Sequence, residues 1–354
     1  MAGTKKSNKN HKSLIAENRF KKTSITSLRN KPSQKKKSKL PSNSSSNFLI
    51  KFFKNITRFF LRIIWGLTWR TSLIVFLGIT SAVSYYYFNM KEFSSFLDER
   101  ARGSVTLEDY QGEVFAWRGD NFSKNLTAKN ISPHLKNAIL ATEDRGFYSH
   151  VGISPRGIGS AVFINLREGR GPLSGHGGST ITQQTAKLVC LGKPFSQADW
   201  NSEKDYEASC RTSTVWRKIK EALYALSLEF KFSKDEILTI YINRVFLGAG
   251  TRGFEAAAQR YFGKSAKIVN PSEAAMLAGL LKAPTRYAPT NNLKRSQERA
   301  NLIIGLMENQ NFLSKAEAKF ARENPATLSK FAQAKAGGYF ADWVMASLPD
   351  YLTY

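Results

Sequence analysis

Of the softer metal ligands, the 354 residues hold only two cysteines and four histidines. The histidines are scattered and no Cys-x-x-Cys occurs, which argues against a zinc centre. Internal repeats are absent, so a solenoid is not expected. Acid is scarce at the start: within residues 1–70 Glu17 stands alone against 18 Lys and Arg, a local charge of +17. That leaves +9 of the total +26 for the rest, a moderately basic remainder. Up to about Asn47 aromatics are also nearly missing. A tail so rich in Lys, Ser and Asn cannot bury enough apolar surface to fold, and 1–47 is expected to be a disordered basic arm. A solvated arm touching anionic lipid accounts for it better than a nucleic-acid contact.

Charge is missing altogether from Thr71 to Phe88, 18 consecutive and mostly apolar residues. That length is near the lower limit for crossing a bilayer. Trp69 and Arg70 flank one end and Tyr85, Tyr86 and Tyr87 the other, as interfacial anchors do. Residues 71–88 are therefore predicted to be a single transmembrane signal anchor. In 48–70, Lys51, Lys54, Arg58 and Arg62 recur at helical steps among Phe and Ile, which predicts an amphipathic juxtamembrane helix on the inner face. The positive-inside rule places the N-terminus in the cytoplasm and everything after about residue 90 outside. A basic leader this long is not a cleaved signal peptide. Cys190 and Cys210 then lie where disulfides form. A bridge between them would contribute about 3 kcal/mol in the chain-entropy model; two buried free thiols are the alternative.

Residues 89–131 read as a stalk with a small β element, since Gly112-Glu113-Val114-Phe115-Ala116-Trp117-Arg118-Gly119 alternates apolar residues between turn glycines. Helical signals come next. Ser132-Pro133 is an N-cap with proline at the first helical position, opening a helix to Glu143. Ser233-Lys234-Asp235-Glu236 is a capping box. Asn270-Pro271-Ser272-Glu273 opens a helix that is apolar nearly all round from Ala274 to Leu281 and is stopped by Pro284. It is too short to span a membrane and is predicted to be a core helix. The fold is expected to be mainly α, one globular domain with a small β-containing flank.

Two stretches some thirty residues apart carry the chemistry: Glu143-Asp144-Arg145-Gly146-Phe147-Tyr148-Ser149-His150-Val151-Gly152 and Gly178-Ser179-Thr180-Ile181-Thr182-Gln183-Gln184. Glu143 ends an apolar helix beside Phe147, where desolvation lifts a carboxyl toward the pKa of a useful base; a surface ion pair is the plainer account. Asp144 projects elsewhere and would orient the site. His150 suits either a substrate contact or a structural hydrogen bond. Gly169, Gly171, Gly175, Gly177 and Gly178 give a permissive loop. After it, Ser179, Thr180, Thr182, Gln183 and Gln184 offer the donors and acceptors that sugars and phosphate oxygens require. In Arg217-Lys218-Ile219-Lys220-Glu221, a helical wheel sets Val215, Ile219, Ala222, Leu223, Leu226 and Phe230 on one apolar stripe and Arg217 and Glu221 opposite. That trio is either a surface ion pair worth a few tenths of a kcal/mol or a cationic cradle for a pyrophosphate, with Glu221 holding the cations or a metal.

Together these stretches resemble the first three signature motifs of the peptidoglycan glycosyltransferases (glycosyltransferase family 51), the polymerase domain of class A penicillin-binding proteins and their monofunctional relatives. Gly250-Thr251-Arg252-Gly253 with Ala257-Ala258-Gln259-Arg260-Tyr261-Phe262-Gly263-Lys264 resembles the fourth, offering Arg252 and Lys264 as anion contacts. Glu273, Leu277, Leu280, Lys282, Ala283, Pro284 and Tyr287 resemble the fifth. The likeness covers roughly residues 130–310. It implies a lysozyme-like, two-lobed glycosyltransferase domain at 132–312, with a membrane-embedded jaw lobe, preceded by the single transmembrane helix. It also implies a bacterial plasma-membrane location with the catalytic domain on the outer or periplasmic face. The substrate implied is lipid II, polymerised on a nascent glycan strand with inversion and release of undecaprenyl pyrophosphate. Glu143 would be the general base and Glu221 the second essential carboxylate. Phe147, the 179–184 row, Arg217 and Lys218 would meet substrate. Pyrophosphate leaves well, so cations rather than a second acid suffice at the leaving group. No cofactor is obligatory; magnesium or manganese at Glu221 is the one candidate.

The chain departs from that pattern in three places. Residues 186–216, with both cysteines, make a longer connection than usual and read as an inserted loop. The basic tail is long. Gly338-Tyr339-Phe340-Ala341-Asp342-Trp343-Val344, in the 313–354 connector, resembles the lead into a transpeptidase domain, yet no Lys-Thr-Gly occurs. Ser33-Gln34-Lys35-Lys36 has Ser-x-x-Lys spacing but lies in the tail. A polymerase acting alone or part of a bifunctional enzyme is expected, without a transpeptidase site in these residues. The competing readings are a lytic hydrolase using Glu143 as an acid, against which Arg217-Lys218 speaks, and a catalytically idle scaffold that binds lipid II or recruits cell-wall synthesis proteins. A nucleic-acid-binding membrane protein ranks below both.

Overall fold

The computed structural model describes residues 44–98, 105–108, 110–111, 114–118, 126–171, 178–196, 198–212, 214–329 and four positions beyond. The tail up to residue 43, with its Ser-x-x-Lys, lies outside them. So do Gly112, Glu113 and Gly119 of the predicted β element, Gly175 and Gly177 of the glycine-rich loop, and most of the 338–344 connector.

Helix α1 (Ser44–Asn89) is continuous, so no break separates the predicted juxtamembrane segment from the predicted span. From Ile50 to Asn89 it is long and apolar enough to cross a membrane. Its threonines turn their hydroxyls back onto the helix, as an apolar surrounding demands of polar groups. Thr57 Oγ1 donates to the Phe53 carbonyl at 2.8 Å and Thr80 Oγ1 to that of Phe76 at 2.9 Å. The chain divides into two units between Thr68 and Trp69, and the second holds every motif that carries chemistry.

In that second unit the end of α1 packs on α7 (Val215–Lys231). Tyr86 meets Tyr224 edge to face at 5.3 Å, and Ser227 Oγ donates to the Val83 carbonyl at 3.0 Å. Met90 is buried, and Lys231 Nζ donates to its carbonyl at 2.5 Å. Short helix α2 (Phe93–Asp98) sets Phe96 edge-on against Phe232. Strands β1 (Val105–Glu108) and β2 (Val114–Arg118) form the expected β element, an antiparallel hairpin pairing Leu107 with Ala116, with an irregularity after Leu107.

The remainder is helical, as the periodicity predicted. It comprises α3 (Pro133–Glu143), α4 (Pro155–Arg167), α5 (Ile181–Leu188), α6 (Glu203–Cys210), α7, α8 (Lys234–Arg244) and α9 (Phe254–Phe262). Then come α10 (Pro271–Gly279), α11 (Pro284–Tyr287), α12 (Leu293–Asn309) and α13 (Lys315–Glu323). The predicted capping box forms at Ser233/Glu236, and the helix start read at Asn270-Pro271 carries a second one, Asn270/Glu273. Ser132 does occupy the N-cap of α3, but its Oγ caps nothing there and instead donates to the Val269 carbonyl at 2.9 Å, tying α3 to the segment just before α10. Helix α10 is largely buried and packs on α12 and α3, which makes it the core helix expected.

One helix sits the other way round from its amphipathic pattern. On α7 the apolar stripe faces out: Val215, Ile219 and Phe230 are exposed. The side carrying Glu221, Tyr224 and Leu228 is buried against α5 and α8. Helical periodicity locates a stripe but not what covers it. Here the buried face supplies the site.

Candidate active site

Glu143 ends α3 at a cleft of about 310 Å³ whose wall also includes Ser179, Gln183, Gln184, Lys187, Lys218 and Glu221. Gln184 Nε2 donates to Glu143 Oε2 at 2.7 Å, and the amide oxygen accepts from Tyr241 Oη at 3.3 Å. Burial raises the Glu143 pKa above the ordinary carboxylate value. The Gln184 bond and the Arg299 charge work against that shift, and Asp144 adds to it. The carboxyl is thus held by one amide, with its basicity raised by its surroundings.

Asp144 turns away and serves as a brace. Its Oδ2 accepts from the Ile181 backbone N–H at 3.1 Å, at the start of α5, and from His150 Nε2 at 2.9 Å. A carboxylate can only accept, so Nε2 carries the proton. His150 thereby ties the two ends of the first motif together. Next to it opens a wider cleft of about 1050 Å³, lined by Glu143, Asp144, His150, Arg156, Ser179 and Thr180 among others.

The second motif builds α5 by a capping box that its letters encode. Thr180 Oγ1 accepts from Gln183 N–H at 3.1 Å, and Gln183 Oε1 accepts from Thr180 N–H at 3.0 Å. Thr180 Oγ1 also donates to the Gly152 carbonyl at 2.6 Å, joining the two motifs. Gly178 has to be glycine: a Cβ there would lie 2.6 Å from the Gly157 carbonyl oxygen of α4. Thr182 is fully buried and donates to Glu229 at 2.5 Å, so it braces α5 against α7 and lines neither cleft. Phe147 is likewise buried, beneath Lys234 Nζ at 4.6 Å from the ring centroid. The motif resemblance implies substrate contacts for Thr182 and Phe147, but their burial makes both framework.

Across the cleft from Glu143 stands a knot of charge. Glu221 is fully buried, with Oε1 ion-paired to Arg217 Nη1 and Oε2 2.8 Å from Lys218 Nζ. Lys218 also donates to Ser179 Oγ at 3.1 Å, coupling this knot to the second motif. Arg217 donates further to the Cys210 carbonyl at 3.0 Å and to that of Thr212. Lys187, which the motif pattern does not single out, completes the group. Burial, and after it Arg217, hold its pKa below the ordinary lysine value, with Glu221 opposing. It follows Gln183 and Gln184 at i+4 and i+3, the same helical face, which was the available signal. Three cations around one carboxylate leave excess positive charge and suit an anion. Among the described residues no group of three or more His, Cys, Asp or Glu stands together. Since both Glu221 oxygens already face cations, the donors present do not fit a divalent ion.

Arg252 and Lys264 do not join this cluster. Arg252 Nη2 binds both oxygens of Glu207 at 2.8 and 2.6 Å, and Lys264 Nζ pairs with Glu273 at 2.8 Å at the head of α10. Cys190 and Cys210 are joined by a disulfide, their Cα atoms 5.3 Å apart.

The fold and cleft thus define a mainly helical protein with one long apolar N-terminal helix and a carboxyl facing a cationic pocket. The chain matches the transglycosylase family over residues 111–308, more than half its length, and it belongs to that family. The match begins within the segment read as a stalk and takes in β2. The chain is 37% identical to penicillin-binding protein 1A of Aquifex aeolicus over 236 residues, 67% of this chain and 30% of that protein. It is 40% identical to penicillin-binding protein 1A of Haemophilus influenzae over 218 residues, 62% of this chain and 23% of that one. Penicillin-binding protein 1B of Vibrio cholerae is 37% identical over 203 residues, 56% and 23% of the two chains. The chain therefore spans about a quarter to a third of the length of such relatives. The crystal structure of the Haemophilus influenzae protein matches 70% of this chain and 24% of that one, at 24% identity with a TM-score of 0.37.

Proposed function

We propose that the chain is a membrane-anchored peptidoglycan glycosyltransferase that polymerises lipid II, with Glu143 as general base and the Lys187–Arg217–Lys218 group neutralising the leaving diphosphate. One observation carries the reading: a carboxyl of raised pKa and a cationic knot around buried Glu221 share one cleft. The base removes the proton from the attacking sugar hydroxyl as that oxygen bonds to the anomeric carbon of the donor. The bond from that carbon to the diphosphate oxygen breaks on the opposite face, which inverts the centre. The departing diphosphate takes up negative charge, and Arg217, Lys218 and Lys187 supply the fixed compensation, oriented by Glu221. Membrane insertion through α1 and the exposed apolar face of α7, with the catalytic unit outside the cell, fits a substrate held in the outer leaflet.

Polymerisation of purified lipid II by the detergent-solubilised protein, beside Glu143→Gln, tests this. Glycan strands and undecaprenyl diphosphate from the wild type, with a loss of roughly 10²–10⁴-fold in the variant, are expected. Release of soluble fragments from preformed glycan, without growth, would instead establish a hydrolase.

A further inference from the structure

The segment 186–216 forms more than a surface loop. Cys190 and Leu191 adopt left-handed backbone (φ 50° and 56°), which turns the chain off the end of α5. The segment returns through α6, where the disulfide ties Cys210 to Cys190. Tyr206 is buried at its centre, donates to the Lys193 carbonyl at 2.5 Å, and meets Phe195 and Trp200 edge to face at 5.6 and 6.0 Å. These contacts enclose a pocket of about 590 Å³, within the range of roughly 300–1,000 Å³ usual for small-molecule sites.

The walls of this pocket have two characters. Tyr86, Leu191, Pro194, Trp200, Tyr206 and Trp216 supply an apolar, largely aromatic surface. Lys187, Lys193, Arg217 and Lys220 supply positive charge against a single carboxylate, Asp199. Two of those cations belong to the cleft as well: Lys187 lines both cavities, and Arg217 pairs with Glu221 while bordering this one. Tyr86, also in the lining, lies in the last turn of the helix that is long enough to cross a membrane. The pocket is therefore bordered both by cations shared with the cleft and by the foot of the apolar helix. An anionic amphiphile fits it, head to the cleft and chain toward the membrane.

We infer that the disulfide-stapled segment forms a binding subsite for the isoprene units next to the diphosphate of the departing polyprenyl diphosphate. This rests on the proposed function, which makes that lipid the leaving group. The segment holds the subsite to the chemistry through Arg217, whose guanidinium donates to the carbonyls of Cys210 and Thr212. Lys187, whose charge is disfavoured first by burial and then by Arg217, gains from an anion at this point. The leaving lipid is thus gripped at head and chain.

Competition binding on the full chain in mild detergent tests this, with dimethylallyl, geranyl and farnesyl diphosphates displacing labelled farnesyl diphosphate. Each added isoprene unit should tighten binding by roughly tenfold in the wild type. In Trp200→Ala that gradient should flatten, and Trp200→Phe should restore most of it; melting curves of both variants establish that they are folded. A gradient equal in wild type and Trp200→Ala would overturn the subsite, since the micelle alone would then account for it. So would affinities indifferent to chain length. Lipid II polymerisation in the same preparation separates the two ideas. Glycan synthesis without a gradient sinks the subsite and leaves the enzyme; a gradient without synthesis sinks the polymerase.

Discussion

At the scale of single residues, Glu143 as the proposed base should set the pH behaviour. A base works deprotonated, so the rate should rise with pH through a value above the ordinary carboxylate range, because burial is the dominant influence on this group. The same shift enters stability with a definite sign. A raised folded-state pKa means that Glu143 favours the fold below its unfolded value, and that this contribution is lost as pH rises through the folded value. Glu143→Gln should therefore melt at a higher temperature than the wild type above that window and equally at low pH, even as polymerisation falls by roughly 10²–10⁴-fold. A variant that melts lower at every pH would show that the carboxylate is stabilised in place. Glu221, by contrast, bears on stability through its ion pairs. It is fully buried and paired with Arg217 and Lys218, so Glu221→Ala leaves the largely buried Arg217 without its carboxylate and beside a second cation. A loss on the order of 3–5 kcal/mol in denaturant titration is expected, and a loss under about 1 kcal/mol would mean that the knot is hydrated. Glu143, Asp144 and the Arg217–Glu221 spacing were readable because they sit in dense motifs. Lys187 was not, since a lysine on a helix is ordinary until its neighbours are known. Thr182 and Phe147 were misplaced for the converse reason: a motif fixes a residue type without saying whether it faces the cleft or the core.

At the scale of elements, local signals carried far. The capping box of α8, the start of α10 at Asn270-Pro271 and the proline at the head of α3 form where the letters put them, because a helix start is settled within four residues. The facing of α7 was not legible. Its strongest stripe, Val215–Ile219–Phe230, lies exposed while Tyr224 and Leu228 are buried, and only α5 and α8 packed on that side reveal it. Two substitutions separate the alternatives. Leu228→Ala, on the buried side, should cost about 2–5 kcal/mol of stability. Phe230→Ser, on the stripe that the sequence would assign to the core, should change stability by less than about 0.5 kcal/mol. Denaturant midpoints of the two variants decide it, and a large loss for Phe230→Ser would return the stripe to a protein interior.

At the scale of the whole molecule, the long helix is attached to the catalytic unit by its last turns. Tyr86, Met90 and the Val83 carbonyl engage α7 through Tyr224, Lys231 and Ser227. Helix α7 in turn carries Arg217, Lys218 and Glu221 upstream of those contacts. The foot of the helix thus braces the element that holds Arg217, Lys218 and Glu221, beyond whatever it does in a membrane. Two truncations distinguish bracing from anchoring. A chain beginning at Gly78 keeps Val83, Tyr86 and Met90; one beginning at Glu92 loses all three, along with the apolar surface they cover. Neither retains enough of α1 to cross a bilayer, so both lose the candidate span alike. If the foot is a brace, the shorter chain should be less stable than the longer by about 2–4 kcal/mol, most of it from Met90 and Tyr86. It should also bind diphosphate-bearing ligands more weakly, because α7 is released at one end. Equal denaturation midpoints and equal affinities would reduce α1 to a tether, and the geometry of Arg217 and Lys218 would then rest on α5, α8 and the stapled segment alone.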